Sequence, residues 1–499
     1  MDDVSLTTSA PPLPESEAGW LFITGIIATI AGIVSQVILT HRLGASEYGL
    51  YILILDLSFT ILVFLDPGLS ALITRDVYRL GRRGHNGMNM AVLFQFMIGL
   101  FLTLISGLLI YHLLDSGLEM MVIIFFSGGV AFHILSMTHR GALRSYGLAR
   151  HEAISRLIER GGMALCFSIA AVLGVLGLSS YLMITTVCLI LGSSWSFWNW
   201  QKIEPKQNAG KDVEKEHEFS SLRLMLISAI PFGLGYWMTT LNLRLSKLIL
   251  GALGTLEDVA IFGILMLVIS AVLILPVSIQ QAIVPAFGRY RMDAQDTGEE
   301  MAEEVMLRAR RMSLYGTLIG YPLSLVLFGL FFPIVFGPIH SIIGSQSIVL
   351  FSILMIGWVS QTMTSPELSY SIAGRTPWAY VATLSLTVVI QFVLCLLLFP
   401  RFGLIGVASS ISIGHVVANF LLMIWVLNEN SLVSHVRVTL DNTLFLFISI
   451  MIATSFNHPS IWMFTIVALF LFLSYIAYSL SVDLQSEGSR KVADAVTDE

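Results

Sequence analysis

Charged residues are scarce in this sequence: Asp, Glu, Lys and Arg make up 12% of its 499 residues, whereas 56% are hydrophobic. In soluble domains roughly a quarter of the residues are charged, so a chain this apolar does not have the composition of a water-soluble protein. Apolar stretches of about 20 residues, enough to cross the hydrocarbon core of a bilayer, recur along nearly the whole length. The composition therefore predicts an integral membrane protein and argues against a soluble enzyme, a secreted scaffold or a nucleic-acid-binding protein.

Cysteine and catalytic motifs are also scarce. Cys166, Cys188 and Cys395 lie within apolar segments, without the spacing of a metal site or a disulfide framework, and we interpret them as packing residues. The sequence contains no P-loop, no HExxH motif and no GxSxG motif. We therefore expect no enzymatic activity, no metal site and no cofactor.

The apolar segments predict an all-α polytopic membrane protein with about fourteen transmembrane helices. We place these spans at residues 19–40, 49–74, 89–114, 120–138, 161–177, 179–200, 224–249, 258–285, 313–336, 346–371, 377–399, 404–427, 443–457 and 460–481.

The positions of Lys and Arg predict the orientation of these spans. If the N-terminus is inside, 23 basic residues lie on the inner side and four on the outer side, namely Arg42, Arg244, Lys247 and Arg401. Because cytoplasmic loops carry the excess of Lys and Arg, both termini should face the cytoplasm. The segment 299–312 places acidic residues before arginines and predicts an amphipathic cytoplasmic helix that leads into the ninth span.

Two segments of the first half of the chain recur in the second half. Alignment of the segment from Leu43 with that from Leu253 sets Pro67 against Pro276, and a second match sets Arg150 against Arg375. Each pair lies six spans apart, which preserves orientation, so the halves should be parallel repeats of the kind found in secondary transporters. Two six-helix lobes facing a central cleft indicate transport.

This interpretation divides the chain into six parts. They are a disordered acidic tail at 1–18, an N-terminal six-helix lobe at 19–200, a cytoplasmic linker at 201–223, a C-terminal six-helix lobe at 224–427, two additional transmembrane helices at 428–481 and a cytoplasmic tail at 482–499.

Ionisable residues within the spans are candidates for function, because charge at bilayer depth requires a cavity or a partner. Arg244 and Lys247 share a helical face and suit an anionic head group, although both could instead reach the outer interface, as could Arg42. Asp66 precedes Pro67, where a helix loses its regular bonding, so it is either an ion or substrate site or the structural partner of a broken helix.

Four further residues are candidates for ion coupling or gating: Asp56, His133, His415 and Glu367. A histidine within a span can relay protons or can make a hydrogen bond between helices. Glu367, near the inner end of the tenth span, is either a gate or an ion-pair partner.

Several short motifs carry a resemblance to a known family. The first span ends in Arg42-Leu43-Gly44, and Glu47-Tyr48-Gly49 and Asp66-Pro67-Gly68-Leu69 follow. This opening resembles that of polysaccharide repeat-unit flippases, and the likeness extends from about residue 19 to residue 427, through the motif at 399–406. The resemblance implies membership of the multidrug/oligosaccharidyl-lipid/polysaccharide exporter (MOP) superfamily, with two six-helix bundles and alternating access.

The resemblance also implies a function. The protein would move polyprenyl-(pyro)phosphate-linked oligosaccharide from the cytoplasmic to the outer leaflet of the cell membrane, for polysaccharide or cell-envelope glycan biosynthesis, with a polymerase or glycosyltransferases as partners. Two alternatives stay open: a multidrug or small-solute ion-coupled antiporter on the same scaffold, and a membrane glycosyltransferase or polymerase.

Overall fold

The protein's computed structural model describes residues 14–77, 82–114, 117–175, 177–203, 221–272, 297–372 and 378–426, and all regular structure in these ranges is helical. The helices are α1 (Pro14–Leu62), α2 (Leu69–Asp76), α3 (Arg82–Leu113), α4 (Met120–Ser145), α5 (Ala149–Val172), α6 (Leu178–Gln201), α7 (Leu222–Leu253), α8 (Leu256–Val272), α9 (Thr297–Val335), α10 (Gly337–Ile343), α11 (Gln346–Met363), α12 (Ser365–Ile372) and α13 (Trp378–Val426), with a 3-10 turn at Val63–Leu65. The predicted all-α fold is confirmed. The last two predicted spans, residues 1–13 and the predicted C-terminal tail lie outside the described residues. Residues 14–18, predicted as part of a disordered tail, are instead helical and form the start of α1.

Seven helices in these ranges are long and apolar enough to cross a membrane, or eight when α9 and α10, bent by 107°, count as one span. Two of them join predicted spans: α1 contains the first span and the second as far as Leu62, and α13 contains the eleventh and twelfth. They change direction at Gly44 (φ 72°) and Gly403 (φ 56°), in a backbone conformation that glycine adopts most readily. The total of fourteen spans and the orientation stay predictions.

Two predicted spans are broken. The second span stops at Leu62 and resumes as α2 after Gly68, because Pro67 interrupts the helical hydrogen bonds. The tenth span divides into α11 and α12, because Pro366 has no N–H with which to continue α11; the Ser365 hydroxyl instead donates to the Thr362 carbonyl at 2.9 Å.

Residues 139–160, between the fourth and fifth predicted spans, are helical except for a short turn. Helix α4 continues to Ser145 and α5 begins at Ala149, so three residues connect them. The helices extend beyond their apolar segments because Arg144 pairs with Glu152 across the two helices, which satisfies charges that hydropathy alone assigns to a loop. The helix predicted at 299–312 is confirmed as the first part of α9.

The described residues before and after the gap at 204–220 form an N-terminal half (14–203) and a C-terminal half (221–426). Helix α1 packs on α5 within its own half and on α7 and α8 of the other half. Large apolar side chains on one face of α3 point outward, among them Leu93, Met97, Leu100 and Leu104. An apolar outer face of this kind suits lipid as its surroundings.

Candidate functional site

The part of α1 that follows Gly44 runs antiparallel to α7 and joins the two halves. Two pairs of positions mark this contact, Leu53 with Gly251 and Asp56 with Lys247. The line of contact continues on one side with Gly49 against Leu256 of α8, and on the other with Gly68, which precedes α2, against Gly233 of α7. At the last pair the two backbones meet directly, since a Cβ on Gly233 would collide with the Pro67 carbonyl. Only glycine permits so close an approach.

The middle of this contact holds three charged side chains, which we call the interhalf ion cluster: Asp56, Arg244 and Lys247. Arg244 Nη1 donates to Asp56 Oδ1, and Lys247 Nζ lies 2.6 Å from Asp56 Oδ2. The side chain of Asp56 is 1% exposed, that of Arg244 19% and that of Lys247 13%. Two cations therefore share one carboxylate, and the cluster has an excess of positive charge in a largely buried position.

Phe59 connects this cluster to the interior of the N-terminal half. The Arg244 guanidinium carbon lies 4.3 Å from the centre of the Phe59 ring, a cation–π contact. The Phe59 ring also packs against His133, with ring centroids 5.6 Å apart and ring planes at 77° to each other. His133 Nδ1 in turn lies 3.1 Å from Glu159 Oε1, to which Arg140 Nη2 also donates at 2.5 Å. His133 is thus part of a buried ion network adjacent to the cluster.

Asp66 has the structural role that the sequence analysis allowed. Its carboxylate accepts hydrogen bonds from the backbone N–H groups of Gly68 (3.0 Å) and Ser70 (3.2 Å) and from the Ser70 hydroxyl, so it caps the start of α2. From α7, Trp237 Nε1 donates to the carbonyls of Val63 (3.2 Å) and Asp66 (3.1 Å). The break between α1 and α2 is therefore stabilised by hydrogen bonds from both halves.

The remaining predicted residues lie elsewhere. His415 Nε2 is 3.3 Å from Asn242 Nδ2, a contact between α13 and α7. Glu367 Oε1 accepts a hydrogen bond from Arg310 Nε at 2.8 Å, which makes Glu367 an ion-pair partner. Arg42 Nη2 donates to the Ala171 carbonyl at 2.5 Å, in the last turn of α5, where carbonyls lack helical partners. Among the described residues, none of these three contacts the interhalf ion cluster.

A family model described as "Polysaccharide biosynthesis protein" matches residues 16–291, more than half of the chain. The chain belongs to this polysaccharide biosynthesis protein family. The matched residues include the whole interhalf ion cluster, Asp66 and His133, whereas Glu367 and His415 lie beyond them. No curated protein matches the chain.

Solved structures give the fold of this family member. The lipid II flippase MurJ, in an inward closed conformation, is similar with a TM-score of 0.60 and 14% identity, over 92% of this chain and 99% of that chain. An MOP superfamily transporter from Pyrococcus furiosus, for which reversed polarity of the binding pocket suggests a different function, gives a TM-score of 0.58 and 15% identity over 86% and 97%. An outward-facing multidrug resistance MATE family transporter gives 0.58 and 15% over 87% and 98%. The family member therefore has the fold of the MOP superfamily transporters.

Sequence reasoning missed the buried charges of α4 and α5. It counted Arg140 and Arg144 only among the 23 basic residues of the inner side and did not single out Glu152 or Glu159. A signal was present: Glu152, Ser155 and Glu159 follow one another at helical spacing and share one buried face of α5. Reading polar residues for helical periodicity would have found this face.

Proposed function

We propose that this protein is a flippase that moves polyprenyl-linked oligosaccharide from the cytoplasmic to the outer leaflet by alternating access. Membership of the polysaccharide biosynthesis protein family and the MOP fold support transport of a lipid-linked glycan. The likeness to MurJ, a lipid II flippase, points in the same direction.

The interhalf ion cluster is the observation that carries the proposal. Asp56 neutralises one of its two cations, so an anionic group is needed to neutralise the other. A buried charge without a partner is strongly unfavourable. The pyrophosphate that joins prenyl chain and sugar supplies such an anion, with oxygens that Arg244 can bind through two N–H groups and Lys247 as a point charge.

Binding of this anion would also act on the contact between the halves. Asp56 belongs to α1, whereas Arg244 and Lys247 belong to α7. Pyrophosphate oxygens that compete with Asp56 for these cations weaken an ion pair that holds α1 against α7. Head-group binding and separation of the two halves are then linked through one carboxylate.

The other predicted residues take supporting roles in this proposal. His133 and His415 stay candidates for ion coupling, Asp66 and Glu367 fix the shapes of α2 and α12, and Arg42 caps α5. The direction of transport is set by an ion gradient, by the membrane potential or by consumption of the product through a polymerase or glycosyltransferase in the outer leaflet.

A leaflet-transfer assay tests the proposal. Purified protein is reconstituted into vesicles with a fluorescent polyprenyl-pyrophosphate oligosaccharide, and wild type is compared with Arg244→Ala/Lys247→Ala. We expect transfer by the wild type and its loss in the double variant. Arg401→Ala is the matched control, because Arg401 is an exposed basic residue predicted at the same outer side.

Two other results would change the conclusion. Unaltered transfer by the double variant would retain a flippase but remove both cations from the binding site. Failure to move any polyprenyl-linked substrate, with exchange of a cationic drug for protons or sodium, would replace the flippase by a multidrug antiporter.

A further inference from the structure

The adjoining ends of α4 and α5 carry a second set of charges, which we call the hairpin arginine pair: Arg144 and Arg156 around Glu152. Arg144 donates from Nε to Glu152 Oε2 at 2.9 Å and from Nη2 to Oε1 at 2.6 Å. Arg156 Nη2 donates to the same Oε1 at 2.5 Å. Two guanidinium groups are therefore held by one carboxylate.

The arginine side chains of this pair are much more exposed to solvent than the carboxylate that they share. The Glu152 side chain is 0% exposed, whereas 42% of the Arg144 side chain and 36% of the Arg156 side chain are exposed. A guanidinium has five N–H donors, and Glu152 engages two from Arg144 and one from Arg156. The carboxylate is hidden, and most of the N–H donors stay available for another acceptor.

Among the side chains that the structure describes, no carboxylate besides Glu152 pairs with Arg144 or Arg156. Arg140, one turn earlier on α4, donates to Ser155 Oγ and to Glu159, so that pair is already matched. Arg150, at the start of α5, lies over the Trp20 ring at 5.6 Å and adds positive charge to the same end of the helix. One carboxylate balances the charge of one guanidinium, so the hairpin arginine pair keeps a net positive charge that is accessible to an anion.

We propose that the hairpin arginine pair is a preorganised binding site for a phosphate-bearing group. Planar guanidinium groups bind phosphate oxygens through paired N–H donors, and a buried carboxylate that fixes both groups lowers the entropy lost on binding. The predicted orientation places this site on the cytoplasmic side. The phosphate comes either from a phospholipid head group or from a pyrophosphate such as that of the proposed substrate.

Two binding measurements on the full chain distinguish these sources and require no transport. Isothermal titration with inorganic pyrophosphate, for protein in phosphatidylcholine nanodiscs, counts pyrophosphate sites. Native mass spectrometry of protein from nanodiscs that contain phosphatidylglycerol counts retained anionic lipid. We expect Arg144→Gln/Arg156→Gln to weaken binding at one site, on the order of tenfold or more, in at least one of the two measurements. The variant then shows one site fewer than the wild type.

Counting sites separates this pair from the interhalf ion cluster, which the substitutions leave intact. Arg150→Gln is the matched control, since it removes an exposed arginine from the same helix end without touching Glu152. Arg144→Lys/Arg156→Lys keeps the charge and the ion pairs but removes the planar donors, and it decides the question if the glutamine variant does not fold.

Loss with pyrophosphate assigns the site to a pyrophosphate group, and loss with phosphatidylglycerol alone assigns it to a lipid head group. Equal binding by wild type and both double variants in the two measurements overturns the proposal. An equal loss in Arg150→Gln also overturns it, because general attraction of anions would then explain the binding.

Discussion

Lys247 Nζ lies 2.6 Å from Asp56 Oδ2, and the two residues belong to different halves of the protein. The pair lies midway along the line of contact between the halves that runs from Gly49, against Leu256, to Gly68, against Gly233, so a change in its charge acts directly on how the halves hold together. The pair bears on stability and, under the proposed function, on substrate binding, and both can be measured.

Asp56→Asn should lower the thermal stability of the purified protein markedly. The substitution leaves two buried cations without a carboxylate, and removal of one partner of a buried ion pair costs about 3–5 kcal/mol. Asp56→Asn/Lys247→Met should recover part of this loss, because it removes one of the two cations. Glu257→Gln is the control, since Glu257 is exposed, and stability unchanged by Asp56→Asn would show that the ion pair does not hold the halves.

Phe59→Leu should weaken binding of inorganic pyrophosphate at the interhalf ion cluster. The ring positions the Arg244 guanidinium, and such a cation–π contact contributes about 0.5–2 kcal/mol, which corresponds to roughly two- to thirtyfold in affinity. Titration calorimetry measures the change. Phe101→Leu, which removes an exposed ring from α3, should bind like the wild type; equal affinity in all three proteins would contradict a role for Phe59.

Gly233→Ala should reduce transfer of the fluorescent substrate strongly. The added methyl group would collide with the Pro67 carbonyl, so the Pro67–Gly68 segment and α7 could not approach as closely. Gly25→Ala is the matched control, since a Cβ there meets no atom within 4 Å. Normal transfer by Gly233→Ala, at normal expression, would show that this close approach is not needed in the transport cycle.

Glu367 and Arg310 should show strong coupling in a double-mutant cycle. Arg310 Nε donates to Glu367 Oε1 at 2.8 Å, and both side chains are largely buried. Glu367→Gln and Arg310→Gln should each lower thermal stability, while the double variant should be less destabilised than their sum by about 0.5–3 kcal/mol. Additive effects would mean that the pair does not bear on the stability of α9 and α12.

The residues of the site were predictable as a set but not in their pairing. Charge within apolar segments is rare enough to mark Asp56, Arg244 and Lys247 from the sequence alone. Their positions in the sequence do not predict that Asp56, a candidate for ion coupling, would form one ion cluster with Arg244 and Lys247, the candidates for substrate binding. That pairing depends on α1 running antiparallel to α7, a contact between residues nearly 190 positions apart.

The charges of α4 and α5 show why hydropathy misplaced the helix ends. A window of apolar residues reports where a helix faces lipid, and Arg144 and Glu152 do not fit that environment. Within the protein they neutralise one another across the two helices, so the helical backbone continues through them. A pairing between side chains of different helices is invisible to any average taken along one segment.

The sequence by itself determined the membrane surroundings, the helical class and the break at Pro67, because composition, apolar length and proline act locally. It also identified the family, through short motifs whose spacing is a property of the chain. Only the tertiary structure decided which charges neutralise one another, that Asp66 caps α2, and that two arginines share Glu152. These depend on the distances between helices, and packing of the whole molecule sets those distances.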